Sequence, residues 1–147
     1  MDRESFVAEI LRNGSDDEAA VMGRIFDWAD GHGLRDMWSL PSYGHGYYAV
    51  MQRIEWEPTP IGVRTSPPRL FIEGDEFRRH APFNMERNWD QVLERLYAIP
   101  QVKRTEGKTY PNILLRDLQD QGTWSAFFGI VDEVIDRVRR AADRGLR

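Results

Sequence analysis

Two hydrophobic spacings divide the chain. Up to Gly31 apolar residues recur every three or four positions, the repeat of a helix with one buried face. Phe6, Val7, Ile10 and Leu11 share one side of a helix predicted from about Asp2 to Arg12, and Asn13-Gly14 supplies a left-handed stop. Ser15-Asp16-Asp17-Glu18 has the spacing of a capping box, after which Ala19, Met22, Ile25, Phe26 and Ala29 mark a second, core-facing helix.

From Leu34 to Glu73 the period changes to two. Tyr48, Val50 and Ile54 share one face of a run, and Ile61, Val63 and Thr65 alternate with Gly62, Arg64 and Ser66. Four short strands follow, over Leu34–Leu40, Tyr47–Ile54, Ile61–Thr65 and Arg69–Glu73. Their separators, 41–46, 55–60 and 66–68, are rich in turn residues, and connections this short favour an antiparallel meander. The helical period then returns. Trp89, Val92, Leu93, Leu96 and Tyr97 predict a helix ended by Pro100, and the segment to Leu118 reads as irregular. From a Thr123 cap, Trp124, Phe127, Phe128, Val131, Val134, Ile135, Val138, Ala141 and Ala142 form the strongest apolar stripe in the chain. That stripe must be buried, on the sheet or against a second copy. The fold class expected is therefore α+β: one domain over 1–147 with a four-stranded, mainly antiparallel sheet and helices packed on one face, helices preceding the sheet and two following it.

Composition supports this picture. A chain of 147 residues, 41% hydrophobic and 12% aromatic, buries enough surface to fold without staples. It holds no cysteine, so disulfides, thiol nucleophiles and thiolate metal sites are excluded. No apolar run approaches the roughly 18 residues of a membrane span, and the charged start Met1-Asp2-Arg3-Glu4 leads us to expect a cytoplasmic protein. The net charge of −4 argues against indiscriminate binding to nucleic-acid backbone. Its halves differ: residues 1–73 carry 12 acidic and 7 basic side chains (−5), residues 74–147 carry 12 and 13 (+1).

Candidate chemistry is sparse. In Ser42-Tyr43-Gly44-His45-Gly46-Tyr47-Tyr48 a histidine sits between two glycines amid tyrosines. A hairpin tip accounts for the glycines, while Tyr43, Tyr47 and Tyr48 offer rings for stacking and His45 an imidazole for proton transfer. His32, His45 and His80 are too far apart in sequence to suggest a metal centre, and we expect no metal and no cofactor. Glu106-Gly107-Lys108 has the glutamate-x-lysine spacing of metal-dependent nucleases but lacks a strand to display it. Glycine loops for phosphate, dinucleotide fingerprints and nucleophile elbows do not occur. Arg78 and Arg79 lead a basic cluster before the third helix; the arginines of the last helix have neighbouring carboxylates and a helix dipole to answer.

Glu94-Arg95-Leu96-Tyr97-Ala98-Ile99-Pro100, Tyr110-Pro111-Asn112-Ile113, Leu118 and the run from Phe127 to Arg139 resemble, in order and spacing, a small α+β domain of uncharacterised bacterial proteins, sometimes found with nuclease or restriction-type modules. The resemblance spans about residues 18–143 and implies fold rather than chemistry, with no catalytic residues to carry over. Tyr110 stands before proline where a basic residue is expected. The expectation drawn from residues and resemblance together is a non-enzymatic binding module, an accessory of nucleic-acid or defence systems, with ligand contacts from Tyr43, His45, Tyr47, Tyr48, Arg78 and Arg79. The alternatives are a metal-dependent nuclease at Glu106 and Lys108 and a structural homodimer joined through the last helix. Partners expected are another protein, a second copy or nucleic acid, and no membrane.

Overall fold

The structure, a computed structural model, describes residues 1–39, 45–104 and 110–147. The first two helices begin where side chains satisfy free backbone N–H groups. Helix α1 (Arg3–Asn13) starts at Asp2, whose carboxylate accepts from the Ser5 amide at 2.8 Å. Helix α2 (Asp16–Gly31) starts at Ser15, whose hydroxyl accepts from the Glu18 amide at 3.2 Å and donates to the Glu18 carboxylate at 3.0 Å. Gly14 ends α1 without a left-handed turn (φ −145°); a side chain there would meet the Glu18 carboxylate, 2.7 Å from a Cβ. The left-handed residue after α2 is Gly33 (φ 66°).

Strands β1 (Arg35–Trp38), β2 (Gly46–Val50), β3 (Ile61–Thr65) and β4 (Pro68–Phe71) form the expected meander. Helices α3 (Gly74–Phe77) and α4 (Glu86–Tyr97) follow, then β5 (Lys103–Arg104), β6 (Pro111–Leu114), a 3-10 turn (Leu115–Gln119) and α5 (Gln121–Asp143). Among the described residues the sheet has six antiparallel strands in the order β1-β2-β3-β4-β6-β5, which corrects the expected four. The segment read as irregular supplies β6, which pairs with β4 some 40 residues upstream (Arg69↔Leu114, Leu70↔Ile113). Pro111 opens β6, where a missing N–H is tolerated, and its carbonyl accepts from Ile72 at 3.0 Å. Helix α5 is capped by Asp120 rather than Thr123: the carboxylate accepts from both the amide (2.9 Å) and the hydroxyl (3.0 Å) of Thr123. Those bonds hold the Asp120 carboxyl below its usual pKa.

The core lies between the helices and one face of the sheet. Tyr47, Ala49, Ile61, Val63, Leu70 and Ile113 point into it and meet Phe6 and Ile10 of α1, Met22 and Ile25 of α2, Trp89 and Leu96 of α4 and the stripe of α5. Phe127, Val131, Ile135 and Val138 are buried within the chain itself, so that surface is not left over for a second copy. No helix among the described residues is long and apolar enough to cross a membrane.

Candidate functional site

Of the residues singled out in the sequence, those that the structure describes do not converge. Successive residues of a strand face opposite sides of the sheet, so Tyr47 and Tyr48 cannot share a surface. Tyr47 is fully buried among Phe6, Phe26 and Trp38, and its hydroxyl donates to Asp36 at 3.0 Å. Burial first, and then the Asp36 carboxylate, push that hydroxyl's pKa well above the ordinary phenol value. Asp36 also receives two bonds from Arg3 (2.7 and 2.9 Å), whose guanidinium reaches Asp30 as well and lies over the Phe26 ring. Tyr47 therefore closes a structural network joining α1, α2 and β1, out of reach of a ligand. His45 turns to the helix side and pairs with Glu9 of α1. Arg78 and Arg79 are exposed after α3, Arg79 paired with Glu76 at 3.0 Å. Tyr43 and the Glu106-Gly107-Lys108 motif lie outside the described residues.

Each histidine faces one carboxylate: His32 meets Asp132 at 2.8 Å, His45 meets Glu9, and His80 meets Glu76 at 3.6 Å. No three metal-ligating side chains gather among the described residues.

Tyr48 leads to a different surface. Strand register puts three rows of side chains on the face of the sheet away from the core. The longest runs Met37, Tyr48, Gly62, Phe71, Asn112, Lys103; beside it lie Gly46, Arg64, Arg69, Leu114 and the pair Arg35, Val50. Phe71 and Val50, although buried, stand apart from the contiguous core, as this placement requires. The Phe71 ring lies over Gly62: a Cβ at 62 would sit 2.5 Å from Phe71 Cζ, so only glycine lets the ring settle on the strand. Tyr48 meets that ring edge-on at 5.9 Å, and the Arg64 guanidinium covers it at 5.4 Å from the centroid. Burial raises the pKa of the Tyr48 hydroxyl, with Arg64 opposing, so the phenol stays a neutral donor. Arg69 donates to Asn112 Oδ1 at 2.7 Å, and Asn112 in turn donates to the Lys103 carbonyl at 2.9 Å, tying three strands together. Arg69 Nε is buried with no hydrogen-bond partner among the described residues.

Among the described residues, the strand-paired positions of this face carry charges of one sign. Its paired positions carry Arg35, Arg64, Arg69 and Lys103 and no carboxylate, in a chain of 24 acidic and 20 basic side chains. Glu57 pairs with Arg35 at the β1 edge at 3.5 Å, and Glu73 acts on Tyr48 from just beyond β4. Arg64 and Arg69 sit on the central strands β3 and β4, so protecting a sheet edge does not account for them. Sequence reading missed Arg64, Arg69 and Asn112 as a group. Alternation placed Arg64 opposite the apolar face of its strand, but only cross-strand register sets it beside Arg69 and Tyr48.

Comparison of the chain with protein families, curated proteins and solved structures finds no match.

Proposed function

We propose that the protein is a non-enzymatic binding module that holds single-stranded nucleic acid on the outer face of its sheet, serving bacterial nucleic-acid or defence systems in the cytoplasm. The observation that carries the reading is the one-signed charge of a central sheet face built around a tyrosine and a phenylalanine. A single strand presents phosphates at regular intervals and bases that stack on any aromatic ring, and a groove of cations around a ring answers both. Arg64, Arg69 and Lys103 supply the phosphate contacts, Tyr48 the stacking ring. Phe71, only 8% exposed, serves as the platform that holds Tyr48 and Arg64 in place. Arginine suits phosphate because its planar fork donates two parallel bonds.

The test is fluorescence anisotropy with labelled oligothymidine and oligouridine. Three neutralised phosphates give a slope of about −2 in log K against log salt. Tyr48→Leu costs about 1–3 kcal/mol for each base it stacks, and Arg64→Ala flattens the salt slope. Binding that is undetectable to any oligonucleotide at low salt overturns the proposal.

A further inference from the structure

One cleft lies away from the sheet face, where the loop between β2 and β3 meets the segment after α3 and the end of α5. It encloses about 470 Å³, within the range of small-molecule sites. On its wall the Trp56 indole and the His80 imidazole are stacked, 4.1 Å apart and 8° from parallel. Phe77 fixes Trp56 from the edge at 5.5 Å, and Val138, Ala142 and Leu146 add an apolar side. At the mouth Glu55 is matched by Arg147 at 3.5 Å. Arg53 is not matched: among the described residues its guanidinium has no hydrogen-bond or ion-pair partner.

The backbone singles out the same loop. Arg53 (φ 66°) and Glu57 (φ 47°) are the non-glycine residues with positive φ among the described residues, and they lie four positions apart. Such conformations persist where surrounding structure enforces them and gather at ligand sites. Here the enforcing bonds are Met51 N–H to the Pro58 carbonyl (2.7 Å) and Glu57 N–H to the Ile54 carbonyl (2.9 Å), which close the loop. Glycine or asparagine would meet the backbone demand at position 53 with less strain. What arginine adds is an unpaired cation at the mouth of an aromatic-walled cleft, and it lines the neighbouring 460 Å³ cleft as well.

The geometry points to a binding site for a small planar aromatic anion, its ring against the Trp56–His80 stack and its carboxylate or phosphate on Arg53. None of these residues belongs to the sheet face, so this site and the nucleic-acid reading stand or fall separately.

The probe is 2-naphthoate, followed through the Trp56 indole N–H resonance in nitrogen-15 NMR spectra. Uncharged 2-naphthamide and ring-saturated cyclohexanecarboxylate serve as controls. The expected result is saturable shifts at Trp56 and His80 with naphthoate, at least roughly tenfold stronger binding than either control, and a similar loss in Arg53→Gly. Arg53→Gly relieves the left-handed backbone, so its thermal midpoint is expected to hold or rise, and lost binding cannot be blamed on unfolding. Arg53→Gln, which keeps a side chain of similar reach without charge, is expected to lose binding in parallel. Oligonucleotide affinity stays unchanged in both variants. Naphthoate that leaves Trp56 unmoved into the millimolar range overturns the site, as does naphthamide binding equally well or Arg53→Gly binding as tightly as the native chain.

Discussion

Replacing Gly62 by alanine tests the packing on which the outer sheet face depends. A Cβ at position 62 would lie 2.5, 2.9 and 3.0 Å from three atoms of the Phe71 ring, closer than carbon atoms approach, so the ring must lift away from the strand. Phe71 is 8% exposed, and lifting it uncovers about 50 Å² of ring, a cost of about 1 kcal/mol at about 25 cal/mol per Å². Weakening its edge contact with Tyr48 adds about 1 kcal/mol. Alanine recovers about 0.5–1 kcal/mol because the unfolded chain is less free than with glycine. The balance is a destabilisation of about 1–2 kcal/mol, or a Tm lower by about 3–8 °C for a domain of this size. Denaturant and thermal unfolding read the single variant; Phe71→Leu and the double variant complete a cycle. Leucine removes the clashing ring atoms, so Gly62→Ala should be neutral or stabilising in that background, with a coupling of about 1 kcal/mol or more. A stabilised Gly62→Ala variant, or an equal penalty with and without the ring, refutes the packing and with it the support beneath Tyr48 and Arg64.

Tyr47→Phe removes the hydroxyl that donates to Asp36 and should cost about 1 kcal/mol in denaturant unfolding, while oligonucleotide affinity stays at the native level. Weakened binding would return Tyr47 to the ligand surface. Because the folded Asp120 carboxyl titrates below its usual 3.8, its contribution is fully present above that value and is lost as pH falls through the lower folded pKa. An asparagine in its place would cap α5 at every pH, so the Tm of Asp120→Asn should fall less than that of the native chain between about pH 5 and pH 2; parallel curves would show that the cap carries no such linkage. Phe127→Ala opens the core beneath α5 and should cost about 3–5 kcal/mol, with a Tm that does not change with protein concentration in either form. A Tm that rises with concentration would place the α5 stripe in an interface between copies.

Elements whose signal is local are legible in the residues alone. Helices α1, α2, α4 and α5 follow from apolar repeats that any window of a dozen residues contains, and the Ser15 cap from a hydroxyl three residues before Glu18. The alternation in β2 and β3 likewise separated core positions from outer ones. What the residues alone left undecided depends on contacts between distant segments. Four residues of β6 make too short a run to read alone and become a strand only because β4 offers backbone partners. The predicted second strand stops at Val50, not Ile54, because the bond from Met51 to Pro58 turns the chain and puts Arg53 in a left-handed conformation. The two tyrosines that looked like one aromatic cluster were divided by the pleat, one into the core and one onto the open face. Arg64, Arg69 and Lys103 come from three strands, and Trp56 and His80 from two loops. Their proximity is set by sheet register and by packing on α5, properties of the whole chain that no local pattern encodes.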